Sequence, residues 1–236
     1  MRSALVRFGG AITAAAGLLF APSGPPAAAP ARPWVLAESE EFAGGVLQPR
    51  AWEVYNGYNP LSGETWRADH CSVSHGVLEL RADRSGLCGI AARTQHVYAR
   101  IEVRARFPVP ADPGLAPVFL LWPQDDRDWP QAGEIDFMEC YDPARQSFES
   151  WLHYARAGRD ASDTAGRYRV DMTGWHTYAV EWTRDAVAVS VDGRTWHTYR
   201  RHVPAGPMHL TLQIDRVGRV AGAANAEVDW VRTYRQ

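Results

Sequence analysis

Three carboxylates fall within six residues, Glu134, Asp136 and Glu139, in the run Gly133-Glu134-Ile135-Asp136-Phe137-Met138-Glu139-Cys140, whose apolar members favour a β-strand. Carboxylates crowded on one face of low dielectric cannot all ionise easily. One keeps its proton near neutrality while a neighbour stays charged. A charged and a protonated carboxyl ~5 to 5.5 Å apart can attack an anomeric carbon and protonate the leaving oxygen, the double-displacement route of retaining glycoside hydrolysis.

The strand pleat sets the condition for that chemistry. Glu134 and Asp136 share one face, with Ile135 and Phe137 on the other. Strict alternation would bury Glu139 against a second sheet without a partner, which is costly. A single bulge at Phe137-Met138 shifts the pleat by one residue and returns Glu139 to the face of the other two acids. The alternatives are a solvated acidic face and a cation site. Against the first, Trp122-Pro123 and Trp129-Pro130 stand just upstream, Trp151 and His153 just downstream, and no basic residue is interleaved with the acids. Against the second, a hard cation usually draws its oxygens from a flexible loop.

The rest of the chain must build the sheet that carries this strand. Its 236 residues suit one all-β domain, or two small ones. Period-two runs recur: Gly76–Ala82, Tyr98–Phe107 with Ile101, Val103 and Ala105 inward, Tyr178–Trp182 and Val187–Val191 flanking a hairpin turn at Thr183–Ala186, His209–Ile214 and Glu227–Tyr234. No helical stretch is convincing. Many short strands predict two packed antiparallel sheets, with Gly/Pro-rich connections at Pro108–Pro117 and Ala155–Gly166 as rim loops around a binding face.

With 25 basic and 27 acidic residues, nothing suggests electrostatic capture of nucleic acid or an anionic membrane. Ten Trp exceed what packing tends to use, and Trp stacks well on sugar rings. Arg2 and Arg7, the apolar run Gly9–Ala21 and the small-residue zone Ala27–Ala31 read as a secretory signal over residues 1–31, leaving a domain over 32–236; an uncleaved anchor is the alternative. No membrane span is expected in the mature chain, which is expected to be secreted and monomeric. Export permits disulfides: Cys71 and Cys88 can pair across successive strands, leaving Cys140 over.

The run Trp129–Glu139 resembles the signature of family 16 glycoside hydrolases in its bulged Glu-x-Asp-x-x-Glu form, which laminarinase-like and agarase-like members share. Glu40–Gly44, Tyr98–Ala105, Gly174–Trp182 and Val228–Arg232 resemble the family too, so the likeness spans essentially the whole mature chain. It implies a concanavalin-like β-jelly-roll, two curved antiparallel sheets with a sugar cleft on the concave one. Carried over, Glu134 matches the nucleophile, Asp136 the assisting acid and Glu139 the acid/base, with no cofactor needed for the chemistry. His153 matches a histidine often found beside the cleft. The resemblance also implies a structural calcium on the convex side, with Glu41, Gly76 and Asp229 at the matching positions. Trp129, Trp151 and Trp122 are the substrate-binding candidates, with Tyr55, Tyr58 and Trp66 as further aromatics of either cleft or core.

Two stretches depart from the laminarinase-like pattern. Val118-Phe119-Leu120-Leu121-Trp122 stands where many members carry Trp in the strand before the catalytic one. Leu212-Gln213-Ile214-Asp215-Arg216 replaces a glycine-rich, tryptophan-bearing segment. The leading expectation is an exported retaining endo-hydrolase of a polysaccharide, a β-1,3-glucan first. A glycan-binding lectin-like module and a cell-surface transglycosylase on the same fold are the alternatives.

Overall fold

The computed structural model describes residues 33–60 and 62–236. The segment read as a signal lies outside the described residues. In chain order the strands are β1 (Val35–Glu40), β2 (Trp52–Val54), β3 (Gly57–Asn59), β4 (Glu64–Trp66), β5 (Cys71–Ser74), β6 (Val77–Asp83), β7 (Gly86–Leu87), β8 (Gly89–Ala92), β9 (Ala99–Arg106), β10 (Leu115–Pro123), β11 (Glu134–Glu139), β12 (Ser147–Arg156), β13 (Arg159–Arg169), β14 (His176–Trp182), β15 (Val187–Val191), β16 (Arg194–Tyr199), β17 (Met208–Arg216) and β18 (Ala223–Arg235). Single helical turns at Ala68–His70 and Asp126–Asp128 are the helical elements among the described residues.

These strands form two sheets, as the alternation predicts, in the β-jelly-roll that the resemblance implies. The seven-stranded sheet runs β13-β12-β11-β10-β17-β8-β2. The outer sheet runs β16-β15-β14-β9-β18-β6-β7-β4-β3, with β1 on β18 and β5 on β6. All pairings are antiparallel except the single Trp66↔Leu87 contact of β4 with β7. The core lies between the sheets and is built by period-two burial. Ile101, Val103 and Ala105 of β9 and Leu78, Leu80 and Ala82 of β6 face Phe119, Leu121, Ile135, Leu152, Leu210, Leu212 and Ile214 of the seven-stranded sheet. Phe107, Phe119, Phe148 and Tyr178 cross the seam with ring centroids 5.4 to 6.3 Å apart.

The Cys71–Cys88 disulfide is formed and Cys140 is a buried free thiol. One expectation fails. Ala155–Gly166 is no rim loop, because β12 and β13 run through it as a long hairpin, paired from Ser147↔Arg169 to Arg156↔Arg159 and turning at Ala157-Gly158. Both of those residues adopt positive φ, so the reversal needs only two residues, and the polar side chains of β13 are those of an exposed edge strand. The other connection, before β10, is a true loop up to Gly114.

Candidate active site

The acids stand on β11, one strand from the middle of the seven-stranded sheet. Gly133 leads into it at φ +81°, where a Cβ would lie 2.9 Å from Pro204 and 3.1 Å from the His153 carbonyl. Only glycine makes that entry without strain. The expected bulge is present. Phe119 opposes Met138 while Leu120 opposes Asp136, so Phe137 is the extra residue, and the β12 side shows the same shift between Asp136 and Glu139. Phe137 and Met138 both enter the core, and Glu139 returns to the face of Glu134 and Asp136.

Each acid has its own setting. The Trp129 indole donates to Glu134 Oε2 at 2.8 Å. Trp129 is placed by the turn at Asp126–Asp128, capped by Asp125, and stacks on Trp122 at 6.0 Å and 18°, whose own indole donates to Asp126 at 2.8 Å. Asp136 is 4% exposed. Its Oδ2 lies 3.3 Å from His153 Nε2, and His153 Nδ1 lies 3.0 Å from Asp160. Asp136 Oδ1 is buried with no hydrogen-bond partner among the described residues. Glu139 is buried, with Glu149 opposite it on β12 and Tyr141 just beyond the strand end.

Burial is the main force on all three groups. It pushes Glu134 and Asp136 well above the usual carboxylate range, reinforced by the charge of Asp136 on Glu134 and of Glu139 on Asp136. Burial raises Glu139 as well, while Tyr141 and His153 pull it back. For Glu134, His153 and the Trp129 indole oppose the rise. The site thus holds fewer charges than carboxyls, the condition for one acid to attack and another to give up a proton.

All four predicted substrate-binding residues stand around the acids. Trp129 and Trp122 form a stacked pair above Glu134, Trp151 opposes Asp136 with its indole N–H unpartnered among the described residues, and His153 opposes Glu134. Of the other aromatics, Trp66 is core, packed edge-on to Tyr55 at 5.2 Å, and Tyr58 is 67% exposed on β3. Tyr141 and Asp160 were not anticipated. Tyr141 lies just past the strand, where alternation no longer assigns a face, and Asp160 becomes a neighbour only through the β12–β13 hairpin. The calcium candidates are otherwise engaged: Asp229 pairs with Arg104 at 3.0 Å, and Glu41 with Ser39 at 2.7 Å and Arg232 at 3.3 Å, while Gly76 sits at φ +76° in the β5–β6 turn. Both carboxylates pair with arginine, and no cluster of three metal-binding side chains occurs among the described residues.

Known proteins share this architecture. The laminarinase catalytic domain from Thermotoga petrophila superposes with a TM-score of 0.72 at 22% identity, covering 87% of this chain and 99% of that one. LamAcat from Zobellia galactanivorans gives 0.73 at 22%, covering 85% and 97%. A beta-glucanase of Rhodothermus marinus is 26% identical over 86% of this chain and 85% of its own length. An endo-1,3-1,4-beta-glycanase of Rhizobium meliloti is 26% identical over 80% of this chain but 48% of its own. The likeness reaches a whole family through residues 61–232, which match the family model of glycosyl hydrolases family 16 and include the acid strand, its neighbours and both stacked tryptophans, so the chain belongs to that family of glycoside hydrolases.

Proposed function

We propose that the protein is an exported, retaining endo-hydrolase of β-1,3-linked glucan. The observation that carries it is the single polar face of β11, where Glu134 is held by the Trp129 indole, Asp136 lies beside it, and Glu139 is returned by the bulge. In the first step the Glu134 carboxylate attacks the anomeric carbon while Glu139 gives its proton to the departing glycosidic oxygen, forming a glycosyl ester and a free chain end. Asp136 stands beside Glu134 on the same face of β11, and His153, held by Asp160, keeps Asp136 in line. In the second step Glu139, now a base, takes a proton from water, whose oxygen displaces Glu134 with net retention. Trp122, Trp129 and Trp151 offer faces and an indole N–H to sugar rings.

The glucan assignment is supported by the names of the relatives, beta-glucanase and endo-1,3-1,4-beta-glycanase, and by laminarinases among the matching folds. Export is supported by the signal-like residues 1–31. The test is release of new reducing ends from laminarin, mixed-linkage β-glucan, agarose, carrageenan and xyloglucan, with Glu134→Gln as the blank. Release from laminarin that vanishes in the variant is expected. Turnover that survives Glu134→Gln contradicts the mechanism, and release from another glycan alone contradicts the substrate.

A further inference from the structure

A fourth carboxyl shares the floor of the site. On β17, residues 209, 211, 213 and 215 face away from the core, since Leu210, Leu212 and Ile214 fill it. Register then ties this row to the acids. Val118 of β10 opposes Glu139 on one side and Gln213 on the other, and Ala116 opposes Asp215. Two strand spacings put Gln213 and Glu139 about 10 Å apart at the backbone, a gap that a sugar ring fits. The Gln213 amide donates to Asp215 Oδ1 at 2.8 Å, which fixes one oxygen and leaves Oδ2 free. Asp215 is half-buried, so that oxygen is within reach of the cleft.

We propose that Asp215 is a specificity-determining residue, its carboxyl held by Gln213 so that the free oxygen donates a hydrogen bond to a hydroxyl of a neutral sugar lying beside Glu139. Donation needs a proton, and the surroundings supply the reason to keep one. Facing Asp215 are Glu134, Asp136 and Glu139 of β11, Tyr141 beyond it, Tyr55, and Glu64 of β4, whose partner Arg216 is already engaged at 3.0 Å. Burial first, then the charges of Glu139 and Glu134, push Asp215 up to about 8. The same acidic floor repels carboxylated or sulfated sugars, which narrows the substrate to an uncharged glycan.

This rests on the hydrolase reading for the place of the sugar, but not for the proton, so two measurements separate them. Carbon-13 NMR of the wild-type protein should show the Asp215 carboxyl titrating near pH 8; complete ionisation below pH 6 overturns the proposal whatever the substrate. Calorimetry of laminaritetraose on the Glu134→Gln protein should show affinity falling as Asp215 loses its proton. Asp215→Asn, which keeps a donor at every pH, should remove that dependence, and Asp215→Ala should weaken binding about tenfold at neutral pH. Equal affinity and the same pH dependence in all three proteins also overturn it. Failure of the hydrolase reading is seen separately, as turnover that survives Glu134→Gln.

Discussion

The two sheets hold acids of the same kind in opposite ways. On the outer face of the outer sheet every acid of β9 and its neighbours meets an arginine: Glu102 and Glu181 share Arg100, Asp229 pairs with Arg104 at 3.0 Å and Glu227 with Arg106 at 2.7 Å. Those arginines also lie over Tyr234 and Trp175. On the catalytic sheet Glu134, Asp136, Glu139 and Asp215 meet no arginine among the described residues, and the chain contains no lysine at all. The first arrangement is a solvated, half-exposed ladder worth little per pair. The second is a store of unfavourable charge that folding tolerates because the cleft needs it.

Breaking the unpaired set should have the largest effects. Glu139→Ala should lower kcat on polymer by about 10³-fold or more and leave far more activity on an aryl β-glucoside with a good leaving group, since that substrate needs no proton. Similar losses on both substrates would remove Glu139 from the acid/base role. Asp136→Asn should reduce kcat by about 10- to 100-fold, and it should also stabilise the fold. Because burial raises Asp136 in the folded state, its stability contribution is intact below the unfolded carboxylate pKa and lost as pH rises. The melting temperature of the variant should therefore exceed that of the wild type by a few degrees at pH 8 and match it at pH 4.

Smaller effects sharpen the contrast. The Tyr141 hydroxyl favours the charged form of Glu139, so Tyr141→Phe should move the alkaline limb of the kcat/KM profile upward by about half a pH unit. A downward move would contradict that influence. On the outer sheet, Arg104→Ala removes one half-exposed ion pair and a contact over Trp175. It should cost at most about 1 kcal/mol in denaturant unfolding, with turnover unchanged.

How far the sequence foretold this follows from the range of each signal. Side-chain alternation is local, so the strands, the core residues Ile101, Val103 and Ala105, and even the bulge at Phe137-Met138 could be read from it. The Cys71–Cys88 pair was open to the sequence as one that could form. What escaped depends on pairing between strands. Asp160 reaches His153 only across the β12–β13 hairpin, and Asp215 joins the acids only through β10. Asp215 stood in the sequence as a departure from a family pattern, although the alternation of Thr211, Gln213 and Asp215 already placed it on the cleft face.

The central claim is that Glu134 forms the covalent bond to sugar. Its most direct test is mass spectrometry of the protein after reaction with an activated, fluorinated β-laminaribioside that forms the glycosyl ester quickly and hydrolyses it slowly. The account predicts one sugar adduct per chain, on the peptide bearing Glu134, and none in Glu134→Gln. An adduct on Glu139 or Asp215, or an active enzyme that never accumulates one, would contradict it.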